Sequence, residues 1–290
     1  MFSKTTTGIL LKLAAVAMFT PIFLVGKFTD GLYSALALMA MRYLGGFATM
    51  IAVVIFSQIP RHELTSDNVK THAFRACVGI GGGTFIMYAS TIMPAANATA
   101  ISLTQGILII AFAGIILKET ITSRHWTAGT IALFGAGIVV SQSIDLSQTG
   151  FNSWQGILAA TAGALFLTAE SLIIKFLTSR ENPLRMLLYV NGFGAIIALA
   201  LVIVLYDVQQ LTNPALYLFL GLGPVAIISQ YLNVLANIRV NASTLAPIIY
   251  TWIIFAAAIG YFAFDEIPTL LTFIGSGLIV AGGIIISRIR

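Results

Sequence analysis

One carboxylate stands well inside an apolar stretch of the sequence. Glu170 lies within GALFLTAESLIIK, whereas the other acidic residues lie at breaks between apolar runs. A charge in the middle of a membrane segment costs about 2.5–3.5 kcal/mol on insertion scales, so such a residue usually faces a cavity or a partner. Desolvation favours the protonated form of a carboxylate, which makes proton exchange a candidate role for Glu170.

Two basic residues also fall within apolar runs and are candidate partners of Glu170. Lys12 lies near the start of the first run, from which its long side chain can reach the lipid headgroups. Arg42 lies deeper, where its neighbour is either Glu170 or the carboxylate of a substrate. Two hypotheses for Glu170 therefore stay open: a proton-coupling residue, or half of a structural ion pair with Lys12 or Arg42. A pair that opens during function would satisfy both.

Neutral polar side chains form a second group of candidates. Gln230, Asn233 and Asn237 are spaced three and four residues apart, which places them on one face of a helix. Lipid would penalise that face, so we expect it to point into the protein. One such group is explained by a hydrogen bond between helices, worth about 0.6 kcal/mol on average, but several together favour a water-accessible cavity. Further polar groups come from other apolar runs: Tyr88, Gln105 and Asn191.

Two aromatic residues follow a proline within an apolar run. Pro247 removes a helical hydrogen bond and frees backbone carbonyls early in that run. Tyr250 and Trp252 come shortly after it, and an aromatic ring beside a kink can stack on a planar or cationic group. Both rings are therefore candidates for substrate contact.

Patterns for nucleotide hydrolysis, metal binding and catalysis are missing from the sequence. No G-x-x-x-x-G-K-[ST] stretch occurs, so direct use of ATP is not expected. The three histidines, His62, His72 and His125, are too scattered for a metal site, and we expect them to be solvated or interfacial. With one deep carboxylate and no deep histidine, an intramembrane enzyme lacks its acid–base groups. Cys77 is the single cysteine and is expected to be a buried small apolar residue. No cofactor or metal is expected.

Composition shows which environment must hold these residues. Of 290 residues, 58% are hydrophobic and 9% are charged, whereas soluble domains carry about 25% charged residues. The chain is therefore an integral membrane protein. Its net charge of +5 is not gathered into a basic cluster with interleaved aromatics, so no nucleic-acid partner is expected.

Ten apolar runs are long enough to cross a hydrocarbon core, which needs about 20 helical residues. Their connections are too short for a soluble domain. The predicted spans are Thr7–Val25, Leu32–Phe56, His72–Ser90, Ala95–Ile116, Trp126–Ser143, Trp154–Phe176, Pro183–Tyr206, Pro214–Ala236, Ala242–Phe262 and Thr269–Ser287.

The loop cations indicate the orientation. If the N-terminus is cytoplasmic, every Lys and Arg outside the spans except Lys27 faces the cytoplasm, as the positive-inside rule requires. We therefore expect a multi-pass protein of the plasma membrane, the inner membrane in a bacterium, with both termini in the cytoplasm.

The second half of the sequence repeats the first. At an offset of 146, Gly129 meets Gly275 and Gly137 meets Gly283. Each half has five spans, an odd number, so the halves enter the membrane from opposite sides and place Glu119 and Glu266 at opposite faces. The predicted fold is an all-α bundle of ten transmembrane helices in two inverted five-helix repeats, with domains at 1–146 and 147–290. A central cavity is expected between the first, third, fourth, sixth, eighth and ninth spans, and the glycine-rich fifth and tenth helices are expected to lie outside it as scaffold.

The sequence resembles the drug/metabolite transporter superfamily, specifically its ten-helix members with two EamA-type domains. In the first half the resemblance is carried by Arg42, Arg75 with Tyr88, Met93-Pro94-Ala95-Ala96-Asn97-Ala98-Thr99-Ala100, Lys118-Glu119 and Arg124-His125-Trp126. In the second half it is carried by Ala246-Pro247, Tyr250-Thr251-Trp252, Gly260-Tyr261, Phe264-Asp265-Glu266, Pro268, Gly275 and Ala281-Gly282-Gly283.

The resemblance implies a secondary transporter that exports or takes up small organic metabolites, such as amino acids, their derivatives or nucleoside-like compounds. Two inverted halves can exchange conformations and open a central site to either side. The expected partners are the small-molecule substrate and the lipid bilayer, and a homodimer is an open alternative. The competing hypotheses are an intramembrane enzyme and a membrane subunit that transports nothing itself.

Overall fold

The computed structural model describes residues 3–29, 32–92, 101–141, 154–205, 209–264 and 267–288. Within these ranges the chain is helical and contains no strand. Two one-turn helices, Arg61–Leu64 and Gln209–Thr212, lie in connections between longer helices.

Ten long helical elements follow one another along the described chain. They are α1 (Lys4–Phe28), α2 (Ala35–Phe56), α3 (Val69–Ile92), α4 (Thr104–Ile116), α5 (Ser123–Ser141), α6 (Trp154–Leu177), α7 (Pro183–Leu205), α8 (Pro214–Gly221 continued by Leu222–Arg239), α9 (Ala242–Leu245, Ala246–Thr251 and Trp252–Phe264 in succession) and α10 (Leu270–Ser287). Each predicted span corresponds to one of these elements. The start that was predicted for the fourth span, Ala95, lies outside the described residues.

By length and composition, seven of these elements could cross a membrane, and α4 is a shorter apolar helix. The first turns of α3 and α5 are polar, since they carry Lys70 with His72 and Arg124 with His125. Polar residues at the ends of a helix lower its mean hydropathy without preventing it from spanning, because they can reach the interface.

Local sequence explains where several helices begin and where one is interrupted. The side chains of Ser3, Ser34 and Thr269 accept hydrogen bonds from backbone N–H groups in the first turns of α1, α2 and α10, as N-cap residues do. Pro247 lies in the 3₁₀ segment Ala246–Thr251 in α9. The expected break of this helix near its start is confirmed.

Helix packing repeats when the first five helices are exchanged for the last five. The pair α3–α6 has its counterpart in α8–α1, the pair α2–α8 in α7–α3, and the pair α4–α6 in α9–α1. The pairs α2–α7 and α5–α10 are their own counterparts. This pattern is the one that an approximate two-fold axis produces, and with five crossings in each half the repeats are inverted. Glu266 lies outside the described residues, so the prediction that it faces away from Glu119 stays a prediction.

Helices α5 and α10 pack on each other through small residues. A Cβ atom on Gly275 would collide with the backbone carbonyl oxygen of Gly135, and one on Gly282 would approach Ala128 too closely. By contrast, a Cβ atom on Gly277 would meet nothing within 4 Å. Close backbone approach of this kind is a main source of helix association in lipid. The contact surface therefore depends on particular glycines rather than on all of them.

A buried carboxylate joins the α2–α3 and α6–α7 connections. Glu181 accepts hydrogen bonds from Ser66 Oγ (2.5 Å), Asn68 Nδ2 (2.9 Å) and Arg185 Nη1 (2.9 Å). Burial by itself raises the pKa of Glu181, but these three hydrogen bonds and the Arg185 charge outweigh it and lower the pKa below its ordinary value. The anion therefore holds the two halves together at this face.

Replacing Gly275 by Leu should destabilise the protein more than replacing Gly277 by Leu, because only the first side chain must enter the α5–α10 contact. Overpacking of this kind costs about 1–3 kcal/mol. The midpoint of thermal unfolding in detergent is measured for both variants. Gly277→Leu is the matched control, about half a turn away on the same helix. Equal midpoints for the two variants would show that the close approach contributes nothing to stability.

Candidate functional site

A small polar cavity lies inside the bundle. Lys12 Nζ donates a hydrogen bond to Asn233 Oδ1 (2.7 Å), and Asn237 Nδ2 donates to the Asn233 carbonyl (2.9 Å). The cavity has a volume of about 10 Å³, about the space that one water molecule needs. We call it the internal cavity. It is lined by Lys12, Ile109, Ser171, Ile174, Asn233, Asn237, Ala242, Leu245, Ala246 and Ile249.

These lining residues come from α1, α4, α6, α8 and α9. The sequence predicted a cavity between these five helices and α3, so α3 is the one predicted element that contributes no lining residue. Neither α5 nor α10 lines the internal cavity, in agreement with their expected place outside it. Of the predicted substrate-binding residues, the internal cavity contains Asn233.

Two other predicted residues form a buried amide pair between α7 and α8. Asn191 Nδ2 donates to Gln230 Oε1 (2.9 Å) and to the Leu187 carbonyl (2.8 Å). Gln230 and Asn237 are both buried, so the polar face of α8 points inward as expected. The same polar face thus serves a helix contact at Gln230 and the internal cavity at Asn233 and Asn237.

The ion-pair partner of Glu170 differs from the two that the sequence suggested. Glu170 Oε1 lies 3.9 Å from Arg75 Nε, which is an ion-pair distance but too long for a hydrogen bond. The physical reason lies in α3, where the missing side chain of Gly79 lets α6 approach: a Cβ atom there would lie 3.2 Å from the Glu170 carboxyl carbon. Lys12 is instead bonded to Asn233, and among the described residues neither Lys12 nor Arg42 forms an ion pair with Glu170.

Arg42 is buried, and in the part of the chain that the structure describes it has no carboxylate partner. Its exposed fraction is 3%, and its guanidinium carbon lies 3.8 Å from the centroid of the Tyr43 ring and 5.4 Å from that of Phe19. Among the described residues, its Nε and Nη2 atoms have no hydrogen-bond partner. Cation–π contact stabilises one face of the guanidinium but leaves this edge unsatisfied.

The remaining predicted contacts lie away from the internal cavity. The Tyr250 hydroxyl packs against Gly106 of α4, where a Cβ atom would collide with it. Trp252 packs against the apolar cluster that contains Tyr250. Gln105 is partly buried in α4, and Tyr88 is 48% exposed on α3. The structure therefore does not bring these four side chains together with Asn233.

Two charged residues that the sequence did not select bind the ends of helices. Glu119 accepts hydrogen bonds from the backbone N–H groups of Ala242 (2.9 Å) and Ser243 (3.0 Å), at the start of α9. Lys175 Nζ donates to the carbonyl oxygens of Asn237 (2.7 Å) and Val240 (2.8 Å), at the end of α8. Each charge has the sign that the helix dipole favours at that end. Glu119 was visible in the sequence only as an acidic break between apolar runs.

A second, larger cavity lies on the other side of these contacts. Its volume is about 590 Å³, and we call it the vestibule. Along α6, Ser171 lines the internal cavity and Lys175, one turn later, lines the vestibule. Near the end of α8, Asn237 lines the internal cavity, and Asn241, just beyond the helix, lines the vestibule. The bonds of Lys175 and Glu119 therefore lie between the two cavities. The vestibule is lined by Ile116, Leu117, Lys118, Glu119, Thr120, Lys175, Phe176, Thr178, Ser179, Ile238 and Asn241.

Two histidines and the cysteine are placed differently from the sequence expectation. His72 is buried and stacks on Tyr189, with 5.1 Å between ring centroids. His125 is buried and its Nε2 lies 3.2 Å from Thr244 Oγ1, which ties the start of α5 to α9. Cys77, expected to be buried, is exposed. The described residues contain no group of ligands that could hold a metal ion.

The sequence matches the EamA-like transporter family over residues 6–141 and 154–288. The chain belongs to this family. It is a multi-pass membrane transporter for small molecules in the drug/metabolite transporter superfamily, and not an enzyme.

Named relatives of this EamA-family chain are transporters. It is 25% identical over 215 residues to the pseudopaline exporter CntI of Pseudomonas aeruginosa, covering 73% of this chain and 74% of that protein. It is 24% identical over 234 residues to an S-adenosylmethionine uptake transporter of Rickettsia bellii, covering 81% and 78%. It is 24% identical over 241 residues to a riboflavin transporter of Brucella anthropi, covering 78% of each.

A solved crystal structure shares the EamA fold of this chain. The two superpose with a TM-score of 0.82 at 18% sequence identity, over 98% of this chain and 99% of the other. At this identity the likeness concerns the fold alone.

Replacing Glu170 by Gln should lower the thermal stability, because it leaves the buried Arg75 guanidinium without an anion nearby. The expected cost is about 1–3 kcal/mol. The double variant Glu170→Gln/Arg75→Met should recover part of the loss, since the two effects are not additive for residues in contact. Glu63→Gln, which removes an exposed carboxylate, is the control for the change in net charge. Strict additivity of the two single substitutions would rule out the pair.

Proposed function

We propose that this EamA-family protein carries small organic metabolites, such as amino acids, their derivatives or nucleoside-like compounds, by alternating access. The observation that carries the proposal is the division between the internal cavity and the vestibule. A polar cavity deep in the bundle is separated from a larger opening by the bonds of two side chains. Alternating access requires a closed end of this kind that can open.

The chemistry of this closed end suits repeated opening. Lys175 and Glu119 bond to backbone groups at helix ends, and water can replace each of them in those bonds. A hydrogen bond to a charged group contributes about 1.5–3 kcal/mol, which is within the range that a few substrate contacts can supply. Opening both contacts would join the internal cavity to the vestibule.

The orientation follows from the loop cations. The vestibule carries Lys118 and Lys175 with Glu119, and the positive-inside rule assigns this face to the cytoplasm. In the conformation described, the cytoplasmic end is therefore the closed one. The named relatives include an exporter and an uptake transporter, so the proposal covers either direction of net movement.

Proton coupling is the part of the proposal that rests on Glu170. Its side chain is 24% exposed, and its pairing with Arg75 at 3.9 Å lacks a direct hydrogen bond. A loose pair of this kind can separate when the carboxylate takes up a proton, because protonation removes the attraction. The sequence contains no nucleotide-binding loop, so a gradient or exchange supplies the energy.

Reconstituted protein should give saturable flux that responds to a pH gradient. Liposomes are loaded with labelled amino acids, S-adenosylmethionine or riboflavin, and accumulation and exchange are measured separately. Glu170→Gln should abolish gradient-driven accumulation and retain exchange, because the amide keeps the shape of the side chain but does not titrate. Absence of saturable flux for every compound would favour the non-transporting subunit. A stable Glu170→Gln protein with full pH-driven accumulation would exclude coupling at Glu170.

Lys175→Met should open the barrier at the cytoplasmic end. In a Cys77→Ser background, a thiol introduced by Ser171→Cys reports on the internal cavity through its reaction with a membrane-impermeant maleimide. Its labelling in inverted vesicles should rise several-fold with Lys175→Met.

Lys118→Met is the matched control, since Lys118 lines the same vestibule and makes none of the barrier's hydrogen bonds. Equal labelling rates in the two variants would show that Lys175 does not close this end. Labelling only in right-side-out vesicles would reverse the proposed orientation.

A further inference from the structure

We propose that Arg42 binds a carboxylate group of the transported molecule. This inference rests on the proposed function and narrows its substrate class to compounds that carry a carboxylate. It is carried by the geometry of one buried guanidinium.

The unsatisfied atoms of Arg42 form a complete binding edge. Within the described residues, Nε and Nη2 are the two atoms that lack a hydrogen-bond partner, and they share one edge of the planar group. Their two N–H bonds run nearly parallel, at the spacing of the two oxygens of a carboxylate. A buried donor without a partner costs about 1–3 kcal/mol, and more when it is charged. A carboxylate would satisfy both atoms at once.

Aromatic rings already contact the guanidinium. The guanidinium carbon lies 3.8 Å from the centroid of the Tyr43 ring and 5.4 Å from the centroid of the Phe19 ring. These rings fix the plane of Arg42 and exclude water from one side, so the edge is preorganised for a planar ligand. A compact ammonium at this position would present no such edge.

The local charge also favours an anion. Tyr43 and Glu170 meet at Gly79, where a Cβ atom would lie 3.2 Å from the Tyr43 hydroxyl and from the Glu170 carboxylate. Arg75 pairs with Glu170 at 3.9 Å, so this part of the bundle holds two buried guanidinium groups and one carboxylate. Among the described residues, Arg42 has no carboxylate partner of its own.

Arg42 lines neither the internal cavity nor the vestibule, so the proposal requires that its buried edge open during the transport cycle. Its neighbour Phe19 lies on α1 seven residues after Lys12, which lines the internal cavity. Seven helical residues span about 10 Å. Once the neighbouring helices separate, a small metabolite that extends from the internal cavity along α1 would bring its carboxylate to Arg42.

The test compares carboxylic acids with their primary amides. Purified full-length protein in detergent is titrated with L-methionine, L-phenylalanine, L-tryptophan and the amide of each, and the thermal midpoint is recorded. Acetate alone is titrated as the minimal anion. At least one acid should stabilise the wild-type protein at a concentration at least tenfold lower than its amide and than acetate.

Substitution of Arg42 then locates the difference. Arg42→Gln should remove the preference for the acid while leaving the response to the amide unchanged. Arg42→Lys should restore only part of it, because it returns the charge without the two-donor edge. Arg239→Gln, which removes an exposed cation, is the control and should keep the full preference. The thermal midpoint of each variant without ligand shows whether that variant is folded. If Arg42→Gln does not fold, the acid preference of Arg42→Lys is compared with that of the wild-type protein instead.

Several outcomes would overturn the inference. They are equal stabilisation by acid and amide, absence of any shift with the acids, equal stabilisation by acetate, and an unchanged preference in Arg42→Gln. Failure of the proposed function has a different signature. In that case the acids would bind through Arg42, but the reconstituted protein would show no saturable flux.

Discussion

Lipid offers no hydrogen-bond partners, so every polar group that these helices bury must find its partner within the protein. This constraint explains why charged side chains appear at helix ends. Glu119 satisfies the free N–H groups at the start of α9, and Lys175 satisfies the free carbonyls at the end of α8. Each of these charges joins elements that are not neighbours in sequence. In the proposed function, the same bonds that complete the helices form the barrier between the internal cavity and the vestibule.

Small residues make this arrangement possible. Gly79 brings α3 against α6 so that Arg75 reaches Glu170, and Gly106 leaves room for the Tyr250 ring. Gly275 lets α10 contact the backbone of α5 outside the central region. Since lipid is as apolar as leucine, association depends on close packing of this kind. Tight scaffold contacts at the periphery leave the looser polar contacts in the centre to change during transport.

The buried polar residues divide into two kinds. Asn191 donates one hydrogen bond to Gln230 and so joins α7 to α8. Arg42 and Arg75, by contrast, keep unsatisfied N–H atoms in the described part of the protein, and unsatisfied buried groups of this kind are costly in a stable fold. A transporter has a reason to retain them, because a substrate that satisfies them gains binding free energy.

The sequence by itself determined the membrane environment, the ten helices, the break at Pro247 and the inward direction of the polar face of α8. These features depend on hydropathy, on the missing N–H of proline and on the helical period, all of which are local. Tertiary structure decided which charges meet. Glu170 pairs with Arg75 rather than with Lys12 or Arg42, and Glu119 and Lys175 cap helices far along the chain. Spacing within a helix cannot predict such contacts, because they depend on which faces the glycines bring together.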